Sequence, residues 1–131
     1  TSIEIFKKNI FFGSGPKTFR EECKKFKNNY FHGCSTHTHN TYIQLLSETG
    51  LVGTIPVSII FLIILNKYFR YIIDLFRKNK KINNIHIAKI FLLVSFVISL
   101  MPLLPSGNFF SSYLNIFYYL PLGYYFYIIE K

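Results

Sequence analysis

The stretch that decides the fold is LVGTIPVSIIFLIIL, residues 51–65, which carries no charged side chain. A helix of this length spans about 22 Å, which is less than the roughly 30 Å hydrocarbon core of a membrane. If the helix begins at Thr41, it is long enough to cross with its first turns among the lipid headgroups. Two further uncharged runs follow, at 90–104 and 113–129. The sequence therefore predicts an all-α polytopic membrane protein fragment with about three transmembrane helices, at about 41–65, 86–104 and 113–129.

The charged residues lie mostly outside these runs. The formal net charge is +9, from 15 Lys and Arg against 6 Asp and Glu, although half of the residues are hydrophobic. The connection 66–85 is basic and the connection 105–112 is uncharged, so the positive-inside rule predicts that the basic loop is cytoplasmic. Residues 1–40 are then expected to form an extracytoplasmic (periplasmic) segment with a short amphipathic helix. Because the densest positive charge lies between two predicted spans, nucleic acid is not expected as a partner.

The junction between this segment and the first span, HTHNTYIQLLSETGLVG at 37–53, is the most informative part of the sequence. An ionisable group such as Glu48 inside a membrane helix indicates a functional site, since in lipid it costs several kcal/mol unless it is paired or solvated. The simpler interpretation is that Glu48 faces headgroup water. Gly50 and Gly53 are predicted to allow close helix packing. Helical spacing predicts one polar stripe, formed by Asn40, Gln44, Ser47 and Glu48.

This junction resembles the O-antigen ligase and polymerase family of bacterial membrane glycosyltransferases. Ligases of that family have a His followed by Asn, Ser or Gln, then nine residues, a Gly, two residues, and a small residue or Tyr. His39, Asn40, Gly50 and Gly53 match this pattern without a gap. The segments FGSGPKTF at 12–19 and PSGNFF at 105–110 are also similar to parts of the family. Since the family has many more membrane helices, the resemblance implies that this chain is the C-terminal part of a longer polypeptide.

The resemblance implies transfer of a glycan from a polyprenyl-pyrophosphate donor to an acceptor, such as the lipid A core, at the outer face of the bacterial inner membrane. His39 heads the motif and is the implied general base, since imidazole accepts a proton near neutral pH. No metal or other cofactor is implied, because Lys and Arg side chains can balance the charge of the pyrophosphate. The predicted substrate-binding residues are Lys17, Arg20, Asn40 and Glu48.

Several alternatives stay open. Repeat-unit polymerases and protein O-oligosaccharyltransferases of the same family share the donor and differ in the acceptor. A non-catalytic membrane scaffold or a transporter fragment would also contain apolar helices. His32, His37 and His39 could bind zinc together with a cysteine, and His37 is the alternative base. Cys23 and Cys34 could instead form a disulfide, as is usual outside the cytoplasm.

Overall fold

A computed structural model describes residues 1–25, 37–78, 84–102 and 104–129 of the chain. These residues form α-helices and no β-strand, which confirms the predicted all-α class. The helices are α1 (Ser2–Lys8), α2 (Phe19–Lys25), α3 (Thr41–Lys78), α4 (Asn84–Ser99) and α5 (Ser112–Ile129).

The chain divides into two compact units, which we describe separately. The first unit comprises Thr1–Ser58 and Pro102–Asn115. The second unit comprises Ile59–Met101 and Ile116–Lys131. Helix α3 therefore contributes its first part to the first unit and its remainder to the second, and the two parts have different surroundings.

The first unit contains the short helices α1 and α2, which pack against each other. Each has acidic side chains in its first turn and lysines in its last turn, an order that complements the helix dipole. Ile5 of α1 is buried, as are Phe19 and Cys23 of α2. The amphipathic helix expected in the N-terminal segment corresponds to α2, whose apolar side faces the interior of this unit.

Helix α3 extends further than the sequence predicted. A loop was expected from residue 66, but the helix continues to Lys78 because 66–78 contains neither proline nor glycine to end it. Within the described residues, α3 is the helix that is long and apolar enough to cross a membrane, over Thr41–Arg77. The arrangement with three spans and a cytoplasmic basic loop stays a prediction.

The second unit is made of the remainder of α3 with α4 and most of α5. Helix α4 ends at Ser99, before the predicted end at 104, and Pro102 follows at the distance typical of a helix terminus. Helix α5 continues through Pro121, which lies inside the span predicted at 113–129. Many large apolar side chains stay exposed on these helices, which is expected of surfaces that face lipid. Among the described residues of this unit, the buried core side chains include Phe61, Leu93, Phe96, Leu100 and Tyr125.

Candidate functional site

The candidate site lies in the first unit, around the start of α3. We call it the polar junction: residues 37–54 and the described residues of the two segments that bond to them, 10–19 and 102–109. All the buried polar side chains found in the described part of the chain lie here. Burial of such groups costs several kcal/mol unless they form hydrogen bonds, so each must be matched by a partner. The buried polar side chains are those of Thr38, Thr41, Gln44, Ser47, Glu48 and Thr54.

Helix α3 is interrupted at Gly50. Its φ of 61° and ψ of −157° lie in a region that is essentially restricted to glycine. In a regular helix the N–H groups of Leu51 and Val52 would donate to the carbonyls four residues earlier. Here they donate to the carbonyls of Ile10 (2.9 Å) and Phe11 (3.1 Å). A segment from the beginning of the chain therefore occupies the break in the helix.

The carbonyl groups freed by the break are bound by the same segment. Those of Ser47 and Glu48 would normally accept from the two N–H groups just described. They accept instead from the backbone N–H groups of Ser14 (3.0 Å) and Gly15 (2.8 Å). Each of the two missing helical bonds is thus replaced by two bonds to residues 10–15. The two N–H groups and two carbonyl groups that the break frees are therefore all hydrogen-bonded, as irregular backbone away from water requires.

Two glycines make this close approach possible. A Cβ on Gly50 would lie 2.5 Å from the carbonyl carbon of Phe11, and a Cβ on Gly13 would lie 2.5 Å from that of Glu48. Both glycines also have positive φ, which disfavours any other residue. The sequence predicted that Gly50 packs closely against a neighbouring helix. The structure shows that its close neighbours are the backbone atoms of Ile10 and Phe11, which immediately precede the glycine-rich segment.

Glu48 is 1% exposed, so it does not face headgroup water. Its Oε1 accepts a hydrogen bond from the backbone N–H of Phe19 (3.0 Å), and its Oε2 accepts one from Nε2 of Gln44 (3.0 Å). Among the described residues, no cationic side chain lies within ion-pair distance of this carboxylate. Glu48 therefore connects the first residue of α2 to α3 through neutral donors.

Gln44 is completely buried and uses both ends of its side-chain amide. Besides its bond to Glu48, Nε2 donates to Oδ1 of Asn108 (2.8 Å), and Oε1 accepts from the backbone N–H of Phe109 (3.0 Å). The polar stripe that the sequence predicted is therefore part of an internal network. This network links α2, α3 and the segment that precedes α5.

Asn40 caps the N-terminus of α3. Its Oδ1 accepts hydrogen bonds from the backbone N–H groups of Tyr42 (3.0 Å) and Ile43 (3.1 Å), a role for which asparagine is strongly preferred. Its Nδ2 donates to the carbonyl of Pro102 (2.6 Å). Both ends of this amide are thus used within the protein, and the helix start is tied to the segment 102–109.

His39 precedes the cap residue, and its side chain is exposed. Its carbonyl accepts a hydrogen bond from the backbone N–H of Ser106 (3.0 Å), while Oγ of Ser106 bonds to Oγ1 of Thr41 (2.8 Å). The ring of His37 lies edge to face with that of His39, with 5.0 Å between the ring centroids. The backbone at His39 is therefore fixed, while its imidazole stays accessible to a ligand.

Lys17 and Arg20 lie on either side of the first residue of α2, and both side chains are exposed. Neither forms a hydrogen bond or ion pair with Glu48 or His39 in the structure. Lys17 and Arg20 therefore make no direct contact of these kinds with the other predicted site residues, Glu48 and His39. They are linked through Phe19, which follows Lys17 closely in the chain and donates its N–H to Glu48.

The alternatives for the cysteines and histidines have different outcomes. Cys23 is disulfide-bonded, in agreement with the disulfide alternative, whereas His32 and Cys34 lie outside the described residues. In the ranges that the structure describes, no group of three or more His, Cys, Asp or Glu side chains is placed to hold a metal ion.

The contribution of the segment 102–109 could not be predicted from the sequence alone. A signal was present, because Ser106 and Asn108 are polar residues in a short connection between two apolar runs. Nothing in their spacing, however, identifies Thr41 and Gln44 as their partners. Thr41 and Ser106 are 65 positions apart in the sequence, and Gln44 and Asn108 are 64 positions apart. Contacts at such separations depend on the tertiary structure.

The long apolar helix indicates an α-helical membrane protein. Residues 1–58 match the family model described as O-Antigen ligase. The resemblance drawn from the sequence is thereby confirmed over these 58 of the 131 residues. The match contains the glycine-rich segment, His39 and the break at Gly50. It covers the same residues as Thr1–Ser58, the N-terminal part of the first unit. No curated protein and no solved structure gives a significant match to the chain.

Proposed function

We propose that the chain is the C-terminal part of a membrane glycosyltransferase of the O-antigen ligase type. It transfers a glycan from a polyprenyl-pyrophosphate donor to an acceptor hydroxyl, such as that of the lipid A core, at the outer face of the inner membrane. The observation that carries this proposal is the placement of His39. Its imidazole is exposed, its backbone is held by Ser106, and it lies within the region that matches the family.

In this mechanism His39 is the general base. The acceptor oxygen attacks the anomeric carbon of the glycan and forms a new C–O bond. The bond from that carbon to the pyrophosphate breaks, and its electron pair leaves with the pyrophosphate oxygen. The acceptor's proton passes to the neutral imidazole, a step that typically contributes about 10² to 10⁴ in rate. The accessible position of the ring permits an acceptor hydroxyl to approach it.

Lys17 and Arg20 are proposed to bind the donor pyrophosphate. Their side chains are exposed and form no ion pair within the described residues, so their charges are available to an anionic ligand. Arginine in particular can hold a phosphate group through two parallel hydrogen bonds. The charge of the leaving group is then balanced by side chains rather than by a bound metal.

Asn40 and Glu48 are better assigned as positioning residues than as substrate ligands. The sequence predicted that both bind substrate. The polar atoms of each side chain are, however, already bonded within the protein. Asn40 fixes the start of α3 beside His39, and Glu48 fixes the start of α2 beside Arg20. We propose that these two side chains hold the base and the cation in place.

Substitution of His39 in the full-length protein tests the proposed function. In cells that depend on this protein for surface glycan, His39→Ala should abolish the glycan without lowering the amount of protein in the membrane. His37→Ala is the matched control, since it removes the neighbouring imidazole, and it should leave the glycan in place. Normal surface glycan in the His39→Ala cells would remove this residue from the mechanism.

The acceptor distinguishes the ligase from the alternatives within the family. Purified full-length protein is given a lipid-linked glycan together with the lipid A core, and the products are separated by size. Transfer to the lipid A core supports the ligase. Lengthened glycan chains would indicate a polymerase, and glycosylated protein an O-oligosaccharyltransferase. A folded protein that transfers glycan to none of these acceptors would be a scaffold or a transporter fragment.

A further inference from the structure

The second unit contains a cavity that is separate from the polar junction. Its volume is about 170 Å³, and its walls come from α3, α4 and α5. An apolar cavity of about 150 Å³ in another protein binds benzene, so this one can accept a length of hydrocarbon chain. Most of its wall is aliphatic or aromatic, including Ile60, Ile63, Leu93 and Phe96.

Lys67 is the charged residue in the wall of this cavity. Its Nζ lies 5.8 Å from the ring centroid of Tyr125, another wall residue, which is a distance typical of a cation–π contact. No carboxylate lies within ion-pair distance of Lys67 in the part of the chain that the structure describes. The cavity therefore combines an apolar interior with a positive charge that has no counter-ion in the described residues.

The surroundings of the cavity are also suited to a lipid. Large apolar side chains on the same helices are exposed, among them Ile59, Leu62 and Phe91. In the sequence from 59 to 101, Asp74 is the one acidic residue among seven lysines and arginines. A hydrocarbon chain with an anionic headgroup matches both features. A neutral lipid matches the apolar feature alone.

We propose that this cavity, which we call the lipid cavity, binds an acyl chain of an anionic phospholipid whose phosphate contacts Lys67. The acyl chain lies between α3, α4 and α5, and the headgroup lies where the ammonium group of Lys67 reaches the surface. This site does not depend on the proposed glycan transfer. Its role is to bind a membrane lipid specifically, in addition to the general contact that every membrane protein makes.

Lipid binding by the full-length protein tests this proposal. The protein is purified in a neutral detergent, stripped of lipid, and incubated with phosphatidylglycerol or with phosphatidylcholine of the same acyl chains. Bound lipid is then counted by native mass spectrometry. Phosphatidylglycerol should be retained preferentially. Lys67→Gln should weaken its binding about fivefold, as expected for loss of one lysine at a lipid headgroup.

Two matched controls separate the cavity from the general surface. Arg77→Gln removes the same charge from the same helix but not from the cavity wall, and should leave binding unchanged. Ile63→Trp fills the cavity and should abolish binding. Ile59→Trp is its control, because Ile59 is not a wall residue but is similarly exposed, at 51% against 52% for Ile63, and it should leave binding unchanged. Should Ile63→Trp fail to fold, Lys67→Gln still decides the matter.

Three results would overturn the proposal. Equal retention of the two phospholipids would show that the charge of Lys67 selects nothing. Equal effects of Lys67→Gln and Arg77→Gln would show that the cavity is not the binding site. Retention of a polyprenyl phosphate in a parallel sample, with phosphatidylglycerol excluded, would assign the cavity to a different lipid. None of these results bears on whether His39 is a general base.

Discussion

The two parts of α3 are stabilised in different ways. In the first part, up to residue 58, side chains and backbone bond to residues distant in sequence, as Gln44, Glu48 and Leu51 show. In the second part, the side-chain hydrogen bond from Nε of Arg70 to Oδ1 of Asn66 (3.2 Å) joins neighbouring turns. The exposed side chains there are largely apolar.

This difference shows where the structural specificity of the helix lies. A regular helix satisfies its own backbone, so the second part needs only apolar surroundings. The first part contains a break and several buried polar groups, and each requires a particular partner. Substitutions in the first part should therefore be costly, and equivalent substitutions in the second unit should be tolerated.

The largest effect is expected for Gly50→Ala. The backbone conformation of Gly50, which is essentially restricted to glycine, costs about 1–3 kcal/mol for another residue, and the clash with the backbone of Phe11 costs about as much again. Displacement of residues 10–15 would further remove bonds worth about 1 kcal/mol each. Thermal unfolding of the full-length protein in detergent should show a large fall in apparent Tm, or no folded protein at all.

Gly123→Ala is the matched control for this substitution. Gly123 lies within α5, and a Cβ there meets nothing within 4 Å. Alanine is favoured over glycine in a helix by about 1 kcal/mol, so the apparent Tm should stay the same or rise slightly. Equal destabilisation by the two substitutions would contradict the contrast between the two regions.

The second largest effect is expected for Glu48→Leu. Two buried donors, the N–H of Phe19 and Nε2 of Gln44, would each lose an acceptor. An unsatisfied buried group costs about 1–3 kcal/mol, so the loss of stability should be about 3 kcal/mol. Glu21→Leu, at an exposed position of α2, should change the free energy of unfolding by less than about 0.5 kcal/mol.

Asn40 both caps α3 and bonds to Pro102, and two substitutions can separate these roles. Asn40→Ala removes the cap and the bond to Pro102, and should destabilise the protein by about 1–2 kcal/mol. Asn40→Asp keeps the capping oxygen but loses the Nδ2 donor to Pro102. It should therefore retain part of that stability, as measured from the same unfolding curves. A Tm for Asn40→Asp below that of Asn40→Ala would argue against the capping role.

The smallest effect is expected in the second part of α3. Arg70→Ala removes an exposed hydrogen bond between neighbouring turns, and the free energy of unfolding should change by less than about 0.5 kcal/mol. If Arg70→Ala lowered the free energy of unfolding as much as Asn40→Ala does, local hydrogen bonds in this region would contribute more to stability than we infer.

Local features of the fold could be predicted from the sequence, and distant contacts could not. The apolar run at 51–65 predicted a long apolar helix, and the run at 113–129 predicted a helix that continues through Pro121. The break at Gly50 was not predicted, because helical spacing continues on both sides and glycine is compatible with a regular helix. Its actual conformation depends on Ile10 and Phe11, which no local pattern connects to it.

The candidate site follows the same division. Its residue types could be selected from the motif, since His39 and Glu48 stand out chemically at the start of an apolar helix. Their surroundings could not be predicted, because burial of Glu48 depends on the N–H of Phe19 and on Gln44. As a result, Glu48 was expected to bind substrate, whereas its contacts favour a positioning role.

The most direct test of the proposed mechanism is the rate of glycan transfer by purified full-length protein with His39→Gln, measured beside His37→Gln. Both variants should keep the apparent Tm of the unsubstituted protein, since the backbone bond of His39 to Ser106 does not involve its side chain. We predict that His39→Gln lowers the rate by about 10² to 10⁴, as for loss of a general base, and that His37→Gln lowers it less than tenfold. A folded His39→Gln protein that transfers glycan within tenfold of the unsubstituted rate would contradict the assignment of His39 as the base.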